Sequence, residues 1–214
     1  MPTQLLKPFI SIAFLLMIAP VLGGATADGQ DEIVGEVTEL VGSAVAMQEA
    51  LPRVLKTGAK IQKGDMLSTG RGSRLHLRMI DDGEFSLGER ASFVVEEYFL
   101  RTDGKEGNAA VRLLGGAVRG LSGKIAQLDT SPFVLKTEVA TIGVRGTEFW
   151  GGLLDGVHQF ALLNGRAIIV ENKAGRVEIT RIGDGTTVRS DGTAPAAPLT
   201  WEAGKLSRAA AMTR

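Results

Sequence analysis

His76 and His158 are the only imidazoles in this 214-residue sequence, and they are its first candidates for binding zinc or moving a proton near neutral pH. Each stands alone inside an alternating apolar–polar run with no second ligand at metal spacing, so no metal site is expected. The absence of cysteine removes disulfides, thiolate nucleophiles and iron–sulfur clusters together. Gly120-Leu121-Ser122-Gly123 begins like a serine-nucleophile turn, but Lys124 stands where G-x-S-x-G requires its second glycine. Gly123-Lys124 is no P-loop either, because Val118 replaces the first glycine and Ile125 the magnesium-binding hydroxyl. Among paired carboxylates, Asp81-Asp82 precede Gly83, where short acids cap a turn, and Glu96-Glu97 are strand neighbours expected to point to opposite faces. Neither pair forms an acid–base dyad. The chain is therefore read as a non-enzyme without cofactor, whose chemistry is recognition.

What it recognises is constrained by charge and address. Twenty-four basic and 24 acidic residues cancel, which removes the cationic field of a nucleic-acid binder. Residues 1–27 read as a cleavable signal peptide: Lys7 precedes the apolar run Phe9 to Leu22, and Ala25-Thr26-Ala27 supplies the small-x-small site, with cleavage after Ala27. That run is shorter than the roughly 20 apolar residues of a membrane span. With no second such run and no cysteine to carry a lipid, the product is expected to be periplasmic or secreted, with no stable membrane anchor after cleavage.

The remainder reads as strands that must position any binding surface. Leu75, Leu77 and Met79 alternate with mostly polar neighbours, Asp81-Asp82-Gly83 turns the chain, and Phe85 and Leu87 resume the alternation. Phe133 to Thr137 and Val177 to Thr180 repeat the period. Asn164-Gly165, between two apolar runs, predicts a type I′ hairpin turn. Three echoes, Leu40 to Val45, Leu113 to Val118 and Leu162 to Ile168, suggest a strand–kink–strand unit with glycine at the bend. The predicted fold class is all-β: a glycine-rich, short-strand solenoid-like, sandwich or barrel domain over residues 33–190. Residues 191–214 are read as a linker and tail, with a short helix capped by Thr200 and interrupted at Gly204.

The most distinctive stretch runs from Phe133 to Phe149 through Thr137-Glu138-Val139-Ala140 and Val144-Arg145-Gly146-Thr147. It resembles the signature of the FecR domain, in which a strand ending in threonine leads through a small-residue turn to Val-Arg-Gly-Thr and an aromatic strand. Gly35-Glu36-Val37, Leu40 to Ala44, Gly64-Asp65, Leu67 to Gly70, Ser73 to Leu77, Asp82-Gly83 and Leu113 to Val118 extend the resemblance over residues 34–150. Glu138 departs from it, since the family commonly has proline there. The resemblance implies a β domain of the Gram-negative periplasm that works through protein contacts. In the namesake, the signal of an outer-membrane receptor passes to a cytoplasmic anti-sigma region controlling iron-uptake genes. This chain is expected to be a stand-alone FecR-like domain without that region, a signalling accessory whose partner is an envelope protein such as an outer-membrane receptor or membrane regulator. The alternative is a cell-envelope module binding glycan. Val144, Arg145, Gly146, Thr147 and Phe149 are the motif residues. Gly146 is expected to supply positive φ, Thr147 to bond the turn, and Arg145 to satisfy carbonyls or pair with a carboxylate. Trp150, with Phe149, is the candidate contact residue if exposed.

Overall fold

The computed structural model describes Met1, residues 32–128 and residues 132–214. The expected leader, with Ala25 and Ala27, lies outside the described residues. The unit Asp31–Arg214 is all-β with one helix. Its first strands are β1 (Ile33–Val41), β2 (Ala44–Gln48), β3 (Leu51–Val54), β4 (Lys60–Gln62), β5 (Met66–Thr69), β6 (Arg74–Met79), β7 (Glu84–Leu87) and β8 (Ser92–Leu100). Next come β9 (Gly107–Gly115), β10 (Ala117–Leu121), a 3-10 turn at Ile125–Gln127, β11 (Phe133–Lys136), β12 (Thr141–Leu154) and β13 (Val157–Asn172). β14 (Gly175–Ile179), β15 (Asp184–Val188), β16 (Leu199–Thr200) and helix α1 (Ala203–Thr213) complete the chain.

The strands form one hydrogen-bonded, curled sheet in the order β3-β2-β5-β8-β9-β11-β12-β10-β7-β6-β1-β4, onto which β13 adds at β12, β14 and β15 at β13, and β16 at β15. Every ladder is antiparallel except β9–β11. The end strands β3 and β4 share no ladder; the Arg53 guanidinium spans them, donating to the Lys60 carbonyl at 3.2 Å and to both oxygens of buried Asp65 at 2.5 and 2.6 Å. Two of the three glycine echoes are corners. Gly42 (φ 81°) bends β1 into β2 and Gly116 (φ 76°) bends β9 into β10. A Cβ at either would strike Ser73 or Ala91 of the neighbouring turn.

The third echo is not a bend, and the predicted Asn164-Gly165 hairpin is corrected with it: both residues lie inside the continuous β13. The turn is Asp155-Gly156, with φ of 54° and 79°, between β12 and β13. Gly165 is also left-handed (φ 97°), because its backbone packs on Gly146, where a side chain would collide with the Gly146 carbonyl.

Inside the curl, Phe85, Phe93, Phe133 and Phe149 stack edge-to-face or tilted at 5.2–6.2 Å between centroids. A buried carboxylate ties turns to this core: Asp81 accepts from the Tyr98 hydroxyl at 2.7 Å and from the Gly83 and Ile125 amides. Burial first, and then that carboxylate, push the Tyr98 phenol far above its usual range, so it stays a donor. Residues 191–214, expected as linker and tail, are docked. β16 pairs with β15, and Trp201 (5% exposed) packs with Trp150, Ala117, Leu154, Ala161 and Ala209 in a second apolar cluster. Helix α1 starts at Ala203 with Glu202, not Thr200, as its N-cap, and Gly204 does not interrupt it. Among the described residues no helix is long and apolar enough to cross a membrane.

Candidate functional site

The Val144-Arg145-Gly146-Thr147 motif lies where β12 changes partner. On the edge away from β13, β12 pairs with β11 through residues 141–143 and with β10 through residues 148–152. Between those ladders Thr147 donates its amide to the Ser122 hydroxyl at 2.7 Å and accepts from the Ser122 amide at 3.0 Å. The buried Thr147 hydroxyl meets the Arg145 carbonyl at 2.8 Å, the Ala167 carbonyl at 3.1 Å and the Ala167 amide at 3.3 Å. Gly146 has φ 57°, and an added Cβ would make only an ordinary contact, with Arg166 Cδ at 3.7 Å. Val144 is buried in the main core. Upstream, the Thr137 hydroxyl holds the turn into β12 by accepting from the Val139 and Ala140 amides, and Glu138 is exposed.

Arg145 differs from its expected role: it is exposed and, among the described residues, its guanidinium makes no hydrogen bond or ion pair. It stands on the rim of a groove of about 560 Å³ over β11, β12 and β13, bounded by the 3-10 turn and by Arg166, Glu171 and Arg176. Cross-strand register explains its shape. Val134, Gly143 and Ile169 lie in one row, and glycine in the middle leaves a trough between two branched apolar side chains. The next row is Lys136, Thr141, Glu171 and Arg176. Glu96 engages Lys136 at 2.7 Å and also pairs with Arg112. Burial raises the Glu96 carboxyl, but hydrogen bonds from Lys136 and Arg112 outweigh it and hold the group below its ordinary 4.5. Arg166 is exposed and, among the described residues, also without a partner; Arg176 reaches Glu171 at 4.0 Å. The groove thus presents guanidinium forks beside an apolar floor, an arrangement for holding carboxylates.

Phe149 and Trp150 are corrected as contact candidates: they are 1% and 0% exposed. As strand neighbours they point to opposite faces, Phe149 into the main core and Trp150 beneath Trp201. His76 meets the Ser86 hydroxyl at 2.9 Å, and no group of three or more His, Asp or Glu suited to a metal occurs among the described residues. Glu96 and Glu97 do not obey simple alternation, because a β-bulge between Val95 and Glu97 buries Val95 and Tyr98 and leaves both acids partly exposed. Glu97 pairs with Lys63 at 2.8 Å. Arg166, Glu171, Arg176 and Gly143 were not singled out from sequence, since only the ladder register gathers them.

Residues 65–168 match the family model described as FecR protein. The match starts beyond β4 and extends past the expected end at residue 150 into β13. No curated protein matches the chain. Two crystal structures of a candidate anti-sigma factor from Parabacteroides distasonis share the fold, each with a TM-score of 0.52 at 15% identity. Each superposition covers 65% of this chain and 61% of the neighbour, so the likeness spans under two thirds of that protein. The partner-switching strand β12, its Val-Arg-Gly-Thr motif and most of the arginine groove fall within the segment that is similar to the FecR family, residues 65–168.

Proposed function

We propose that this chain is a non-catalytic signalling accessory of the cell envelope, working in the periplasm or outside the cell by contact with another protein. The FecR match over residues 65–168 carries the reading, and an outer-membrane receptor or membrane regulator is the partner it favours. The fold shared with a candidate anti-sigma factor supports a regulatory role. The groove supports recognition over catalysis, because it offers guanidinium groups and apolar walls without a nucleophile–base pair. A glycan-binding role is disfavoured by the aromatic residues: among the described residues all are buried except half-buried Phe99, which leaves no ring platform for a sugar.

The test is cross-linking in intact cells carrying a C-terminally tagged chain, followed by mass spectrometry of attached proteins and of the N-terminus. An N-terminus at Asp28 with one reproducible receptor or membrane regulator attached is the expected result. Recovery with wall glycan and no reproducible protein would overturn it.

A further inference from the structure

We infer that the groove over β11, β12 and β13 receives an extended acidic segment of the partner protein, its apolar side chains in the trough over Gly143 and its carboxylates on Arg145, Arg166 and Arg176. This deepens the proposed protein-contact role by naming the surface and the chemistry of what it holds.

Three observations carry it. The first is the trough itself. A Cβ on Gly143 would meet nothing nearer than Ile169 Cβ at 3.8 Å, an ordinary contact, and Gly143 is not in the left-handed region. Packing and backbone geometry therefore both admit a side chain at that position, yet glycine leaves the row between Val134 and Ile169 open.

The second is charge. The described lining holds three arginines against one glutamate, Glu171, which lies 4.0 Å from Arg176. On strands β9, β10 and β11, three basic groups are already matched: Lys136 and Arg112 by Glu96, Arg119 by Glu148. Arg145 and Arg166 have no such partner among the described residues and stand exposed on neighbouring strands. Guanidinium groups bind carboxylates through paired, directional hydrogen bonds, so the unmatched pair selects an acidic occupant.

The third is the character and size of the walls. Leu128, Val134 and Ile169 suit aliphatic side chains, whereas Phe133, the one aromatic among the described lining residues, is 3% exposed and offers no face to a sugar ring. About 560 Å³ exceeds what a single phosphate or carboxylate fills and suits several residues of extended chain.

The experiment is fluorescence anisotropy of the full chain with a short labelled peptide of alternating glutamate and valine, and with its lysine-for-glutamate counterpart. The acidic peptide should bind, weaken with added salt, and outcompete the basic one. Arg145→Glu with Arg166→Glu should reduce its affinity at least about tenfold. Gly143→Val, which fills the trough with a strand-favouring residue, should reduce it too while leaving the melting temperature unchanged or raised. Equal binding of the two peptides, unaltered affinity in either variant at an unaltered melt, or capture of a wall-glycan fragment in place of the peptide would overturn the assignment. Cellular cross-linking separates this from the proposed function. If the doubly charge-reversed chain still captures the same envelope protein, the groove is not the docking surface and the accessory role stands. If the wild-type chain binds the acidic peptide but captures no envelope protein, the groove stands and the accessory role falls.

Discussion

Gly146 and Gly165 sit in adjacent strands with left-handed φ of 57° and 97°, but for different reasons. At Gly146 only the backbone angle excludes a side chain, whereas at Gly165 an added Cβ would also meet Thr147 Cα at 2.8 Å and the Gly146 carbonyl. Gly146→Ala should therefore cost about 1–2 kcal/mol, the left-handed penalty alone, and Gly165→Ala clearly more; urea denaturation of the two variants gives the ranking. Gly146→Val should lower the melting temperature by several degrees, and an unchanged melt alongside lost partner capture would assign the motif to partner binding instead of architecture. Thr147→Val keeps the shape but strips a hydroxyl bonded to Arg145 and Ala167, and should cost about 1–3 kcal/mol because the Ala167 amide and carbonyl lose a buried partner. The roles of Gly146 and Thr147 were legible from residue type, since glycine and threonine solve the problem of a strand that must change neighbours. The burial of Trp150 was not, because its cover, Trp201 and α1, arrives some fifty residues later in the chain and leaves no local trace.

Among elements, the misread turn shows where local signals fail. Asn164-Gly165 and Asp155-Gly156 both have type I′ chemistry, and both glycines take positive φ. Only the long ladder between β12 and β13, thirteen residue pairs from Thr141 to Leu154 against Glu171 to Val157, decides that the chain reverses at Asp155-Gly156. Alternation found the β6–β7 hairpin because both of its strands present one face to the core, but it gave no warning of the bulge that sets Glu96 beside Lys136 and Arg112. That cluster predicts an acid response. Glu96 has a folded pKa below its ordinary 4.5, so its stabilisation is fully present above pH 4.5 and is lost as pH falls through the lower folded value. Wild type should exceed Glu96→Gln in urea midpoint by a constant margin above 4.5, with the margin closing below it. At the turn into β12, the Thr137 hydroxyl already makes the bonds, and Glu138, the residue after it, is exposed. Glu138→Pro should restrict the unfolded chain and stabilise the fold by about 0.4–1 kcal/mol, read as a rise in melting temperature.

For the whole molecule, the all-β class followed from short alternating runs and dense glycine, while the strand order did not, because corner glycines send consecutive strands to distant places in the sheet. The docked C-terminus was hidden for a related reason: its seats are two glycines, Gly88 beneath the Met212 carbonyl and Gly185 beneath the Trp201 ring, which mark a fit without a periodic signal. Deleting residues 199–214 should cost about 3–5 kcal/mol, comparable to removing a buried tryptophan, and should red-shift the fluorescence of Trp150, the one remaining tryptophan. A blue emission and unchanged urea midpoint would mean that Trp150 is shielded without α1. The Arg53 span between β3 and β4 has a different kind of consequence. No ladder joins the two ends of the sheet: the Arg53 guanidinium, the Gln48 amide on the Lys63 carbonyl, the loop between β3 and β4 and the short turn from β4 to β5 hold them, so the outer edges can part locally without unzipping any strand pair. Amide hydrogens along the outer edges of β3 and β4 should then exchange with deuterium through small local openings, long before those of β12 and β13, which wait for global unfolding.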